Sequence, residues 1–301
     1  MRVLVTGGTG LIGSALCTSL FRDGHQPVVL SRRPEAARAR LGDGVEVVRW
    51  PGGEQLPAAV LQEVQAVVNL AGENIGAGRW TAARKELIME SRKEVTRNLV
   101  LAMVGAGERP KVLVNASAVG YYGPRGDEEV TEEDAPGDDF LARVCRAWEE
   151  EARRAEDLGL RVVILRFGLV LAREGGSLPR LVRSFRFFLG GPLGSGRQWV
   201  SWVHLEDALG LIRLALEEEG LAGPINVTAP QPVRMEELAR ILGRVLGRPS
   251  RLRLPAGVLR LALGEMAEML LTGQRVLAER TLRAGYSFRY PGLEAALWDL
   301  L

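Results

Sequence analysis

Lysine is nearly missing from this chain of 301 residues: Lys85, Lys93 and Lys111 are the only three, and no lysine follows position 111. Histidine and cysteine are limited to His25, His204, Cys17 and Cys145, none at metal-ligand spacing, so no metal centre is expected. The two cysteines fall far apart inside helical patterns, which reads as reduced packing residues and excludes a disulfide framework. No long apolar run occurs, which excludes a hydrophobic spanning helix. The chain opens on a strand-like Met1-Arg-Val-Leu-Val5 without a basic-then-apolar leader, and the expected location is the cytoplasm, with no membrane partner. An excess of one charge is lacking as well: 39 basic residues are interleaved with 37 acidic ones. Without basic clustering or a repeated aromatic platform, nucleic-acid binding ranks last among the functions considered.

What is present is an ordinary globular composition, 47% hydrophobic and 25% charged. The length suits one elaborated α/β domain, or a domain of about 150 residues with a smaller companion. Short β-branched runs at 2–6, 27–31, 45–50, 66–71, 111–116 and 161–167 alternate with helical spacing at 11–22, 81–104 and 139–158. That alternation predicts βαβ units and, with right-handed crossovers, a Rossmann-type doubly wound parallel sheet. After Phe167 the strand signal thins into glycine- and proline-rich stretches and helical segments at 235–246 and 255–271. The expected division is a nucleotide-binding domain over 1–170, with a later contribution near 197–228, and a smaller, mainly helical substrate domain over 171–301.

The first strand runs into Thr6-Gly-Gly-Thr-Gly-Leu-Ile-Gly13, and a helical pattern follows at once. Gly7 suits the tight turn, Gly10 a close approach to pyrophosphate, and Gly13 close helix packing, while the helix start offers free N–H groups to phosphate. Thr9, Leu11 and Ile12 belong to the same turn. At the end of the second strand stand Ser31, Arg32 and Arg33, where an NAD-selective site carries an acidic residue for the ribose hydroxyls. Arginine there provides a fork of donors for a 2′-phosphate, so the expected cofactor is NADP(H). The plainer alternative makes Arg32 and Arg33 exposed loop charges. At the fourth strand, Leu70, Ala71 and Gly72 let the adenosine half pass without steric conflict.

Those residues, with Asn69-Leu-Ala-Gly-Glu-Asn-Ile75, Ser91-Arg92, Cys145-x-x-Trp148-Glu149, Gly190 to His204 and the tail from Leu271 to Phe288, resemble the extended short-chain dehydrogenase/reductases. The finer resemblance is to their atypical branch, described as sugar-nucleotide epimerase-like or cell-division-inhibitor-like, and it spans nearly the whole chain. It implies that Arg92 and Val170, within Gly168-Leu-Val170, also line the cofactor, although Arg92 reads equally as a surface helix residue. It further implies a Ser, Tyr and Lys set, in which the lysine lowers the tyrosine pKa for proton exchange during hydride transfer.

Ser117 stands in the expected place, but the Tyr-x-x-x-Lys does not: Leu141 and Cys145 occupy that spacing. One reading gives the acid role to Tyr121 or Tyr122, with Arg143 or Arg166 as cationic neighbour. The other packs both tyrosines beneath the loop, their hydroxyls bonded to backbone. His204 suits a structural hydrogen bond beside a helix capped by Asp207, or a catalytic imidazole. Ser177 and Ser195 are open to either a ligand or a turn. The aromatic run Arg183 to Phe188 suits a helix that caps the pocket or packs on a neighbour, and Phe288, Tyr290 and Trp298 suit a docked tail. Two functions stay open: an NADP(H)-dependent oxidoreductase or epimerase on a small polar or nucleotide-linked substrate, and an NADPH-binding sensor or interaction protein without turnover. A monomer or homodimer is expected.

Overall fold

The computed structural model describes residues 1–301. Seven parallel strands make the central sheet: β1 (Arg2–Thr6), β2 (Gln26–Ser31), β3 (Glu46–Arg49), β4 (Ala66–Asn69), β5 (Val112–Ala118), β6 (Arg161–Phe167) and β7 (Gly223–Val227), in the order β7-β6-β5-β4-β1-β2-β3. The direction of winding reverses between β1 and β4, and the carboxyl ends of those two strands frame the crevice where α/β sheets take ligands. Register brings Thr6 beside Asn69 and Asn69 beside Asn115. Thr6 Oγ1 donates to Asn69 Oδ1 at 2.6 Å, and Asn69 Nδ2 donates to Asn115 Oδ1 at 2.6 Å, which ties the strand ends together below the crevice.

The strands read as apolar runs because both faces are covered. Val3 and Val5 point to one face, Leu4 to the other. On the first face α1 (Leu11–Arg22), α2 (Pro34–Leu41) and α6 (Leu205–Glu217) bury Leu16, Leu20, Ala37, Leu209 and Ile212 against Val29, Val68 and Val163. On the second, α3 (Ala82–Val104) and α4 (Phe140–Arg153) bury Leu99, Met103 and Ala152 against Val28, Val67 and Ile164. After β6 the chain leaves the sheet, and it returns through α6 and β7. A separate core outside the sheet gathers Leu178, Val182 and Phe185 of α5 (Leu178–Arg186), Leu238 and Leu242 of α7 (Met235–Leu246), and Leu293, Leu297 and Leu300 of the C-terminal helix Leu293–Leu300. No helix is long and apolar enough to cross a membrane.

Local chemistry explains where the elements depart from their expected limits. Thr81 and Asp139 are caps and not first turns: Thr81 Oγ1 accepts from Arg84 N–H and Asp139 Oδ1 from Ala142 N–H, so α3 and α4 begin one residue later. The helix expected over 255–271 breaks at Gly264, whose φ of +62° ends α8 (Ala256–Leu263) before the short helix Glu268–Leu271. The β7 strand lacked a sequence signal because it carries Gly223, Pro224 and Asn226, residue types depleted in strands, and an edge strand tolerates the proline. Trp298 is 61% exposed and not a tail-docking core residue, whereas Tyr290 is buried. Of the aromatic run from Arg183 to Phe188 only Phe185 packs inside, and Phe187 and Phe188, past the end of α5, face solvent.

Candidate functional site

The turn after β1 is built by close approach. A Cβ on Gly7, which sits at φ +67°, would stand 2.6 Å from Leu70 O, and one on Gly13 would stand 2.3 Å from Gly7 O. A Cβ on Gly10 would meet only Gly7 O, at 3.2 Å, so its other side opens outward. Gly10 is the N-cap of α1 and supplies no capping side chain, and the first turn holds no acidic residue. The N–H groups of Leu11, Ile12 and Gly13 have no acceptor in the chain. Three free donors, the positive end of a twelve-residue helix and a space that a side chain would fill are what a pyrophosphate requires, so these residues fit the expected dinucleotide. Thr9 is exposed beside them, and Leu11 lies under Gly175 and Gly176.

At the end of β2, Ser31 Oγ accepts from Arg33 N–H at 3.1 Å. Arg32 and Arg33 are exposed, and neither has a carboxylate within ion-pair distance. Register adds a residue that sequence reasoning missed: Arg49 of β3 is paired with Ser31 and is likewise exposed. Only strand pairing could reveal it, since nothing in the local sequence marks Arg49.

Leu70, Ala71 and Gly72 run directly alongside Gly7, with Ala71 N–H donating to Thr6 Oγ1 at 3.2 Å. Arg92 holds this segment from behind. Its guanidinium donates to Glu73 O at 3.1 Å and Ile88 O at 2.9 Å and lies over the Trp148 ring, while Ser91 Oγ accepts from Glu73 N–H. A Cβ on Gly72 would stand 2.9 Å from that guanidinium. The geometry thus gives Arg92 a supporting role for the loop rather than a surface position. Val170 lies in the short strand Leu169–Leu171, paired with Trp202–His204.

The catalytic end is dominated by a buried network. Ser117 Oγ donates to Glu149 Oε1 at 2.7 Å, and Arg166 takes both Glu149 oxygens at 2.9 Å each. Arg166 also donates to the Tyr122 hydroxyl at 2.9 Å, which in turn donates to Asn226 Oδ1 at 2.7 Å. Tyr122 is therefore packed as expected, but it bonds side chains and not backbone, and burial pushes its phenol well above the ordinary range. Tyr121 is the half-buried neighbour: its ring lies 3.5 Å from the Arg166 guanidinium, and its hydroxyl has no partner in the chain. Arg166, rather than Arg143, is the cation beside the tyrosines. Arg143 donates to Asp138 O at the N-terminal end of α4.

Leu141 and Cys145 do not form a polar pair. Leu141 and Phe140 pack against Trp80, Ile88 and Met266. The Cys145 thiol is pushed up to about 11 by burial, and the Glu149 charge adds to the rise.

His204 is a structural hydrogen-bonder and itself the cap of α6: its Nδ1 accepts from Glu206 N–H at 3.1 Å, and its Nε2 faces Asp299 Oδ2 at 3.3 Å. The expectation that Asp207 caps this helix is corrected. Asp207 is buried in the first turn and accepts from the N–H groups of Arg289 and Tyr290 at 2.7 and 2.9 Å, tethering the tail. A cleft of about 710 Å³ beside His204 is lined by Ser14, Thr18 and Arg40, and shares only Leu11 with the glycine turn. Ser177 is half-buried with an unpaired hydroxyl, and Ser195 is exposed in its turn.

A glycine-lined phosphate cradle at the switch point of a doubly wound sheet defines a dinucleotide-binding α/β protein. The chain belongs to the NAD dependent epimerase/dehydratase family, whose pattern matches residues 3–228, and residues 254–300 match a domain of unknown function, DUF1731. It is 40% identical to the epimerase family protein YfhF of Bacillus subtilis, over 100% of this chain and 98% of that protein. It is also 40% identical to the epimerase family protein SDR39U1 of Bos taurus, over the full length of both. Among solved structures it resembles human SDR39U1 (isoform 2), crystallised with NADPH, at a TM-score of 0.89 and 37% identity over 100% of this chain and 99% of the other. The UDP-glucuronic acid 4-epimerase of Bacillus cereus, with a TM-score of 0.81 over 100% of this chain and 98% of the other, shares the fold at 18% identity. These findings bear out the resemblance to extended short-chain dehydrogenase/reductases and the expected fold.

Proposed function

We propose that this chain is an NADPH-dependent oxidoreductase that reduces a carbonyl on a small polar or nucleotide-linked substrate, with Tyr121 as the proton donor. Bound NADPH supplies the hydride for such a reaction. Gly7, Gly10 and Gly13 with the start of α1 hold its pyrophosphate, and Arg32, with Arg33 and Arg49 nearby, meets the 2′-phosphate. The NADPH bound to human SDR39U1 supports this choice of cofactor. The observation that carries the reading is the Tyr121–Arg166 stack at 3.5 Å, which leaves a phenol with an uncommitted hydroxyl over a guanidinium. The guanidinium against its ring face holds the phenol in place, and a positioned phenol can give its proton to a carbonyl oxygen as hydride arrives.

The sensor reading draws on a different observation: Leu141 packs against an apolar cluster, Cys145 is buried, and Ser117 is committed to Glu149. Incubation of NADPH with aldehydes, quinones and sugar nucleotides separates the two. Turnover that is lost in Tyr121→Phe, with NADPH affinity unchanged, supports the reductase. No oxidation across the panel, or equal rates in the variant, removes Tyr121 from the chemistry.

A further inference from the structure

Helix α5 ends in a turn that normally demands glycine. Leu189 N–H donates to Ser184 O and Phe188 N–H to Phe185 O, both at 2.9 Å, and Phe188 takes φ +60°. The same pair of bonds closes α7, from Arg248 N–H to Gly243 O and Gly247 N–H to Arg244 O, with Gly247 at φ +61°. In this motif the left-handed position is usually glycine, because a Cβ there crowds the following carbonyl. Phe188 receives no burial in return: it is 61% exposed, between Phe187 at 65% and Leu189 at 60%.

The neighbouring chain extends the patch. Leu252 N–H donates to Gly190 O and Leu254 N–H to Pro192 O, which sets two more exposed leucines alongside. Arginines flank it: Arg183 and Arg186 on α5, Arg248 with its guanidinium 4.8 Å from the Phe188 ring, and Arg251. None of these four forms an ion pair, although nearby Arg240, Arg244 and Arg253 are paired with Glu237, Glu294 and Glu236. A chain with almost equal numbers of acids and bases has left its positive charge unneutralised around an apolar tip.

We propose that Phe187, Phe188 and Leu189 form a wedge that seats this protein on an anionic lipid surface, with Arg183, Arg186, Arg248 and Arg251 on the headgroup phosphates. This reverses the sequence-based expectation of no membrane partner. A projecting aromatic tip between free guanidiniums suits the boundary of headgroups and acyl chains, where apolar insertion and attraction to anionic lipid act together. An acidic protein or a second copy of the chain is the competing occupant.

The test uses the full chain loaded with NADPH and vesicles of phosphatidylcholine with and without phosphatidylglycerol. Wild type is expected to sediment only with the anionic vesicles and to be released by salt. Phe188→Gly is expected to weaken that binding by about ten-fold or more, with an unchanged or raised Tm and unchanged NADPH affinity, because glycine suits the turn better. Arg183→Gln with Arg186→Gln is expected to weaken it as well. Failure of wild type to bind anionic vesicles at low salt, or equal binding by Phe188→Gly, overturns the proposal. Dimerisation sensitive to Phe188→Gly, without vesicle binding, also overturns it and assigns the tip to a second copy.

Discussion

Ser117 Oγ stands 2.7 Å from Glu149 Oε1, so the one proton of this hydroxyl is given to a carboxylate that Arg166 already holds by both oxygens. A serine has a single donor, and a substrate oxygen meets only what is left of its lone pairs. The hydroxyl that would ordinarily polarise a carbonyl is here part of the scaffold. That commitment makes Glu149 the common partner of Ser117 and Arg166.

Replacing Glu149 by Ala leaves Arg166, only 2% exposed, without its counter-charge. Breaking a buried pair from one side typically costs about 3 to 5 kcal/mol. Urea unfolding is expected to show a loss of that order. The double variant Glu149→Met with Arg166→Met is expected to lose less than the two single losses combined, since neither charge is then stranded. A wild-type midpoint for Glu149→Ala would show that the ion pair contributes nothing net.

Arg32→Ala is expected to weaken NADPH binding by roughly ten- to a hundred-fold while leaving NADH unchanged, because a charge-assisted pair to the 2′-phosphate contributes on the order of 1.5 to 3 kcal/mol. Cofactor fluorescence titration measures both. If wild type binds the two cofactors equally, Arg32 does not read the phosphate. If the preference persists in Arg32→Ala, Arg33 or Arg49 reads it.

The two outer faces of the glycine turn are expected to respond differently. Gly10→Val points into open space beyond Gly7 O, so the protein should fold and lose cofactor binding by calorimetry. Gly13→Ala places a methyl 2.3 Å from Gly7 O and 2.8 Å from Gly8 Cα, backbone that cannot swing aside. It should lower Tm even without cofactor. Normal NADPH binding by Gly10→Val would mean that the pyrophosphate lies elsewhere.

Stability is expected to fall as pH drops from about 7 toward 5, in part through His204. Burial lowers its pKa from the ordinary value, with Asp299 opposing, so the unfolded chain binds this proton more readily than the folded one. Stability then rises with pH between the lowered folded value and about 6.5, and is lost as pH falls through that window. The Tyr290 hydroxyl bonded to Asp299 lowers that carboxyl, whose contribution is lost only at more acid pH. His204→Asn, whose amide oxygen can still accept from Glu206 N–H, should flatten the His204 part of the Tm profile. An unchanged profile would place the titration on another group.

Much of the nucleotide-binding half was legible because its causes are local. Strands buried on both faces must be apolar throughout, as Val3 to Val5 and Val67 to Val68 are, and the spacing of Gly7, Gly10 and Gly13 is dictated by one turn and one helix start. Asp139 and Thr81 were readable as helix boundaries for the same reason, though as caps and not as first turns. His204 and Asp207 exchanged their expected roles because the groups that satisfy Asp207 come from Arg289 and Tyr290, more than eighty positions away.

The sequence by itself determined that the chain folds as a doubly wound sheet, that its first turn is shaped for a dinucleotide phosphate, and that no Tyr-x-x-x-Lys pair exists. Each of these rests on residue identity and short-range spacing. Only the tertiary structure decided that Ser117, Glu149, Arg166, Tyr122 and Asn226 form one buried chain of hydrogen bonds, that Arg49 stands beside Ser31, and that Phe188 is exposed. Those facts depend on which strands pair and which faces remain uncovered, and the packing of segments up to 104 positions apart settles both.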